Sequence, residues 1–287
     1  MANKMEISTI KLIIIFSFYS LSKNNEIILK INGRGDQTIL SEYQDLTMLD
    51  AILINGQQQD YIDKIVYGLI EQVNNITLKW KGQLTSCCGM FFGLSNIIEI
   101  NFSYFDSSKV EDMSYMFCYC EGITKIDFSN FDTSSVNTMY SMFYDCKSLK
   151  SLDLFHFNTS SVINMEYMFG ICESLESLNI TNFDTAKVSS MLEMFNGCIS
   201  LTSLDLSSFN TSQVTSMEST FANCCSLKIL NLGNFNTSKV NNMFHMIYEC
   251  FELTSINLNS FDTSKVTIMT GIFERCISLM VVNLYCL

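Results

Sequence analysis

The chain has 287 residues, of which 48% are hydrophobic, and it carries a formal net charge of −12. Nucleic acids and anionic membrane surfaces bind basic patches on proteins. Because this chain is acidic, we expect neither of them as a partner. No apolar stretch reaches the roughly 20 residues that a transmembrane helix needs.

The first 22 residues contain a short apolar run, residues 12–21, behind Lys4. Its length fits the hydrophobic region of a cleaved signal peptide, which would place the protein outside the cell or at its surface. The same run also fits a buried first strand of a cytoplasmic protein. The sequence leaves both interpretations open.

Residues 23–83 predict a small β-rich N-terminal cap. The stretch "EIILKINGRGDQTILS" (26–41) is typical of a strand, a turn and a second strand, and it predicts a β-hairpin. Residues 74–84, "NNITLKWKGQL", alternate in the manner of another strand. Such a cap would cover the first unit of a repeat domain, which otherwise exposes its core.

The predicted hairpin turn contains Arg34, Gly35 and Asp36, the tripeptide that some adhesion ligands present to integrins. Any tripeptide is a weak signal, and a tight turn requires the same glycines for its backbone. The segment is therefore interpreted first as a turn and second as an adhesion motif.

Seven repeats of 26 residues occupy 105–287, and a degenerate one precedes them at 84–104. The repeats contain L-x-x-L-x-L or a variant with other apolar residues, whose alternation predicts a strand. They also contain V-x-x-M-x-x-M-F-x-x-C or a close variant, whose steps of three and four predict a short helix, with F-[DN]-T-S as its N-cap. Stacked units would give an α/β solenoid, with a parallel β-sheet on one face and short helices on the other.

The repeats "FDTSSVNTMYSMFYDCKSLKSLDLFH" (131–156) and "FDTSKVTIMTGIFERCISLMVVNLYC" (261–286) carry a specific resemblance. They resemble the BspA-like leucine-rich-repeat surface proteins, and the similarity covers about residues 84–287. The resemblance implies a leucine-rich-repeat fold. It also implies a secreted or surface-displayed, non-enzymatic protein that binds or adheres to a partner, without indicating which one.

One cysteine recurs in every repeat. Side chains stacked in parallel do not face each other as a disulfide requires, and no C-x2-4-C pair suggests zinc. We therefore expect buried free thiols that act as small hydrophobic side chains, with no metal and no cofactor. This cysteine column consists of Cys120, Cys146, Cys172, Cys198, Cys224, Cys250 and Cys276. Cys118, Cys225 and Cys286 lie off the column and are better candidates for reactivity.

A polar column runs along the predicted strands, on the side that faces away from the core. Concave solenoid faces often bind other molecules, so we expect a docking surface for a protein or a glycan; a merely solvated sheet face is the alternative. The column consists of Asp127, Asp153, Asn179, Asp205, Asn231 and Asn257.

No catalytic motif stands out, and the chain contains only two histidines, at different repeat positions. We therefore expect a non-enzymatic binding or adhesion protein. An intracellular scaffold for protein–protein interaction is the alternative. Six N-x-[ST] sequons fit secretion from a glycosylating cell: Asn75, Asn101, Asn158, Asn179, Asn210 and Asn236. Three of the six, Asn158, Asn210 and Asn236, belong to the "FNTS" of the repeat itself.

Overall fold

The computed structural model describes residues 25–284. Thirteen β-strands and no helix occur within them. The predicted signal peptide lies outside the described residues. The strands are β1 Glu26–Asn32, β2 Gly35–Thr38, β3 Leu49–Ile54, β4 Gln57–Gln58, β5 Ile65–Leu69, β6 Val73–Trp80, β7 Ile97–Asn101, β8 Lys125–Asp127, β9 Ser151–Asp153, β10 Ser177–Asn179, β11 Ile229–Asn231, β12 Ser255–Asn257 and β13 Val281–Asn283.

The N-terminal strands form a sheet in the order β4-β3-β6-β1-β7-β8. Strand β1 lies between β6 and β7 and pairs antiparallel with both, while β2 pairs antiparallel with β5. The predicted hairpin of β1 with β2 is therefore wrong. Both edges of β1 are occupied, so the chain leaves the sheet after Asn32, through Gly33 at φ 147° and Gly35 at φ 72°.

The repeats stack as the coils of a solenoid, each coil being one 26-residue repeat. Parallel pairing keeps the repeat in register, so that Leu178 lies opposite Leu152 and Ile256 opposite Leu230. Through β7 and β8, which pair in parallel, the first coils extend the N-terminal sheet. The predicted solenoid is confirmed, and its type is a β-solenoid. Residues 25–284 contain no candidate for a membrane-spanning helix.

The predicted helices, and with them the α/β leucine-rich-repeat fold, are wrong. In residues 113–120 the Met116 N–H donates to Met113 O at 3.3 Å, which closes a tight turn. The Tyr115 N–H donates instead to Tyr140 O of the next coil, at 2.8 Å. Tyr115 and Tyr119 have φ values of 57° and 61°. A helix would instead need negative φ throughout and i→i−4 bonds within one coil.

Two tight turns therefore replace each predicted helix. They place apolar residues inward at the same steps of three and four, which is why the sequence pattern could not separate them from a helix. The inward side chains fill one continuous core from the cap into the coils. Phenylalanines stack along it: the ring centroids of Phe117 and Phe143 are 5.3 Å apart, and those of Phe143 and Phe169 are 5.8 Å apart.

The F-[DN]-T-S segment forms a turn and a link between coils, so its predicted role as a helix N-cap is also wrong. The Ser160 N–H donates to Asn158 Oδ1 at 3.1 Å, which closes a side-chain turn. The buried Thr159 hydroxyl donates to Asp184 O at 2.9 Å and accepts the Asp184 N–H at 2.8 Å. Thr133, Thr185, Thr211 and Thr237 make the same double contact, so a column of hydroxyls joins successive coils.

Candidate functional site

The polar column lies on the strand side of the coils, with its side chains exposed or half-buried. Much of its hydrogen-bonding capacity closes the turns that follow the strands. Asp153 Oδ1 accepts the Phe155 N–H at 3.1 Å, and Asp205 Oδ1 accepts the Ser207 N–H at 2.9 Å. The Ser207 contacts lower the pKa of Asp205, because hydrogen bonds to a carboxylate favour its charged form.

Asparagine in this column joins neighbouring coils. Asn179 Nδ2 donates to Asp153 Oδ1 at 2.9 Å, and Asn257 Nδ2 donates to Asn231 Oδ1 at 2.9 Å. The strands that carry these pairs, β9 with β10 and β11 with β12, are hydrogen-bonded to each other. A carboxamide has both a donor and an acceptor, so it can bridge two coils while it closes its own turn.

The sheet is interrupted at two places, and aspartates of the column lie beside both. Strand β8 ends the N-terminal sheet, and β9 does not pair with it, although Asp127 and Asp153 occupy equivalent positions in consecutive coils. Residues 203–205 around Asp205 likewise form no strand between β10 and β11. At the first place the carboxylates of Asp127 and Asp153 would lie opposite each other and repel, and neither can donate a hydrogen bond. The strand face is therefore open at these places.

Grooves lie at both openings. The β8/β9 groove has a volume of about 510 Å³, and its lining includes Lys125, Asp127, Asp153 and His156. A groove of about 360 Å³ next to residues 203–205 is lined by Asp205, Asn231 and Asn257, among others. A smaller groove between Lys30, Glu99 and Asp127 shares Lys125 and Asp127 with the first.

The grooves bring five of the six polar-column residues to a binding surface: Asp127, Asp153, Asp205, Asn231 and Asn257. Asn179 is in none of these groove linings, and its amide bonds to Asp153. Lys125 and His156 also line the first groove but were not predicted from the sequence. Lys125 was detectable, because it lies two positions before Asp127 and shares its strand face, whereas His156 lies beyond the strand, and only the folded turn shows its position.

The six interior members of the cysteine column are buried, and Cys276 is half-buried; all seven are free thiols. Each thiol donates to a backbone carbonyl 29 residues earlier, for example Cys146 to Phe117 O at 3.2 Å and Cys198 to Phe169 O at 3.2 Å. Burial raises the pKa of the Cys198 thiol well above its ordinary value. A cysteine thus supplies a small apolar side chain together with a weak donor for a buried carbonyl.

The off-column cysteines differ from one another. Cys118 is buried, and burial raises its pKa to about 12, which makes it a poor nucleophile at neutral pH. Cys225 is half-buried, and burial raises its pKa as well. Cys286 lies outside the described residues. None of the described thiols belongs to a group of three or more potential metal ligands.

The tripeptide Arg34, Gly35 and Asp36 is exposed between β1 and the body of β2. The carboxylate of Asp36 accepts the Gly68 N–H at 2.9 Å, and the Arg34 carbonyl accepts the Gln37 side-chain amide at 2.9 Å. The structure therefore shows Asp36 and the Arg34 backbone engaged in local contacts, far along the chain from the grooves of the repeats.

A known family accounts for most of the chain. The family described as "Mycoplasma protein of unknown function, DUF285" matches residues 66–177 and again residues 172–282. The chain belongs to this family. Its two consecutive matches agree with the solenoid of repeated coils, and they leave the more specific resemblance to BspA-like proteins as a hypothesis. No curated protein matches the sequence.

Proposed function

We propose that this DUF285-family solenoid is a non-enzymatic binding protein, secreted or displayed at a surface, that adheres to a protein or glycan through its strand face. The observation that supports this most directly is the open β8/β9 junction. There, a groove of about 510 Å³ exposes Lys125, Asp127, Asp153 and His156 on one side of the molecule.

The chemistry of this groove suits a polar, extended ligand. It offers a cation and two carboxylates, and β8 ends its sheet without a strand partner on this side. Carboxylates and amides bind the hydroxyls of a glycan and the backbone groups of an extended peptide. One long ligand lying along the strand face would contact more than one groove, which raises affinity through multivalency.

Surface display is supported by two further observations. The repeats resemble those of BspA-like surface proteins in sequence, although the leucine-rich-repeat fold of that comparison does not apply. The asparagines of the sequons Asn158, Asn210 and Asn236 are exposed, as glycan acceptors must be.

The test is a screen of the wild-type protein against a glycan array and against biotinylated host-surface proteins. Every hit is then repeated with the double variant Asp127→Asn/Asp153→Asn, with all proteins made in a host without N-glycosylation, because Asp127→Asn creates an N-x-S sequon with Ser129. Asparagine keeps the oxygen that closes each turn, so the fold is retained while the two charges are lost. We expect hits to weaken by about tenfold, equivalent to about 1.4 kcal/mol.

Asp184→Asn is the matched control, because Asp184 is exposed and closes a turn with Ala186 N–H at 3.0 Å outside the strand face. It should leave every hit unchanged. Hits that survive the double variant, or that Asp184→Asn weakens equally, would contradict binding through the strand face.

An intracellular scaffold is the second candidate, and the cysteines favour it. All eleven cysteines in the described part of the chain are free thiols, and reduced thiols are typical of the cytosol. N-terminal sequencing and intact-mass spectrometry of the mature protein distinguish the scaffold from the secreted binding protein. An intact Met1 without added glycan mass supports the scaffold, whereas a new N-terminus near residue 22 supports secretion.

A further inference from the structure

Six aromatic rings form a continuous surface on the turn side of the first coils. Their neighbouring ring centroids are 5.1 to 6.3 Å apart, and all the pairs meet edge to face. We name this surface the aromatic ridge; it consists of Phe92, Tyr115, Tyr119, Tyr140, Tyr144 and Tyr167. The core separates it from the strand face, because the methionines and phenylalanines of the same turns point inward.

The tight turns create the ridge. Tyr115, Tyr119 and Tyr167 occupy the positive-φ positions of their turns, where the side chain projects away from the core. Tyr115 and Tyr119 are 38% and 43% exposed. Gly170 leaves room for the Tyr144 ring, since a Cβ atom there would lie 2.8 Å from Tyr144 Cδ2. Later coils carry Glu193, Ser219, His245 and Gly271 at the position of Tyr115 and Tyr167, so the ridge ends there.

Three carboxylates flank the end of the ridge at Tyr167: Glu166, Glu193 and Glu218. Partial burial raises the pKa of Tyr167 to about 12, and the negative charge of Glu193 contributes most among these carboxylates. Glu193 and Glu218 accept hydrogen bonds from neutral asparagine amides at 2.9 and 2.7 Å. Among residues 25–284, none of the three forms an ion pair with a cationic side chain. Aromatic faces beside unneutralised carboxylates attract a cation.

The last coils show the same chemistry within the chain. The Arg275 guanidinium lies over the Phe251 ring, 5.7 Å from its centroid, and pairs with the carboxylate of Glu249. Arg275 occupies the repeat position that Tyr119 has in the first full repeat. One side chain thus combines a stacking contact with an ion pair on the turn side of this solenoid.

We propose that the aromatic ridge, with Glu166, Glu193 and Glu218, binds an arginine-bearing segment of a partner protein. This site is separate from the strand face and goes beyond the function proposed above. Guanidinium groups stack on aromatic rings and pair with carboxylates in two-point contacts, which a lysine ammonium does less well. A neutral glycan would use the rings and leave the three charges without a role.

The probe is a capped peptide of alternating arginine and glycine, measured by fluorescence polarisation against the full chain. A peptide with citrulline in place of arginine is its neutral control, since citrulline keeps the planar group and removes the charge. We expect the arginine peptide to bind at least about tenfold more tightly than the citrulline peptide, as expected for a stacked and paired cation. Equal binding of the two peptides would overturn the proposal.

Two variants assign the binding to the ridge. Tyr140→Leu/Tyr167→Leu removes two rings and should weaken the arginine peptide by about tenfold, whereas Tyr140→Phe/Tyr167→Phe keeps the rings and should bind like the wild type. Glu193→Gln/Glu218→Gln keeps the shape and the asparagine contacts and should weaken binding severalfold, which tests the site even where the leucine variant is less stable.

Phe155→Leu is the matched control, because Phe155 is 42% exposed and lies outside the ridge; it should change nothing. Full binding by the leucine variant would show that net negative charge alone attracts the peptide, and would overturn the proposal. Loss of binding in Asp127→Asn/Asp153→Asn with an unaffected ridge variant would also overturn it, since binding would then belong to the strand face.

Discussion

Interior coils and the last described coil share a sequence pattern but not a degree of burial. Thr237 and Cys250 are fully buried, whereas Thr263 and Cys276, one repeat later, are half-buried. Ile277 and Met280 of the last coil are 80% and 79% exposed. The core of a coil is therefore completed by the coil that follows it. Stability in this molecule belongs to the junctions between coils rather than to single repeats.

A charge placed in the cysteine column should give the largest difference in stability between interior coils and the last described coil. Cys198→Asp buries an unpaired carboxylate and should cost at least about 4 kcal/mol of the free energy of unfolding. Cys276→Asp should cost about 1 kcal/mol, because water reaches the last coil. Urea unfolding followed by circular dichroism measures both. Equal losses of unfolding free energy in the two variants would mean that the interior coils and the last described coil are equally shielded from water.

Removing one hydroxyl from the threonine column should have an intermediate effect. Thr185→Val leaves the Asn210 N–H and carbonyl without their partner at 2.8 and 3.0 Å, at a cost of about 1–3 kcal/mol. Thr263→Val should cost less than about 0.5 kcal/mol, because no described coil follows it. Thermal unfolding of the two variants and the wild type measures both losses of stability. A Thr185→Val protein as stable as the wild type would show that the hydroxyl column does not join the coils.

The smallest expected difference comes from truncating the column thiols. Cys198→Ala loses buried apolar surface and the donor to Phe169 O, together worth about 1–2 kcal/mol. Cys276→Ala should cost about 0.5–1 kcal/mol, since about half of that burial is missing. Differential scanning calorimetry compares the two. A loss at Cys276 that matches the loss at Cys198 would contradict the difference between interior and last coils.

The repeat, its register and its inward residues could be predicted from the sequence, because an uninterrupted 26-residue period leaves few alternatives. The helices could not. Steps of three and four place Met139, Met142 and Phe143 on one side in a helix and in two tight turns alike. What decides between them is the destination of each N–H: the Ser141 N–H donates to Glu166 O of the next coil at 2.9 Å. That contact has no signature within a single repeat.

For the strand face, the polar column could be located from the sequence, but its openings could not. Asp and Asn looked interchangeable as outward polar residues, whereas Asn179 bridges to Asp153 and the Asp127 junction lacks strand pairing. The aromatic ridge was missed for a different reason. Its tyrosines occupy several repeat positions, so no column of the aligned repeats reveals it, and only the folded turns bring Tyr140 and Tyr167 within 5.6 Å.

The open β8/β9 junction also has a mechanical consequence. A force that pulls the two ends of a solenoid apart acts on the junctions between coils in series, so the junction with the fewest bonds yields first. Between β8 and β9 the turn segments still connect the coils, for example Phe117 N–H to Met142 O at 2.9 Å, but the strands do not. A tether attached at either end would thus stretch first at the junctions without strand pairing, at β8/β9 and beside residues 203–205, so tension and ligand binding would compete for the same grooves.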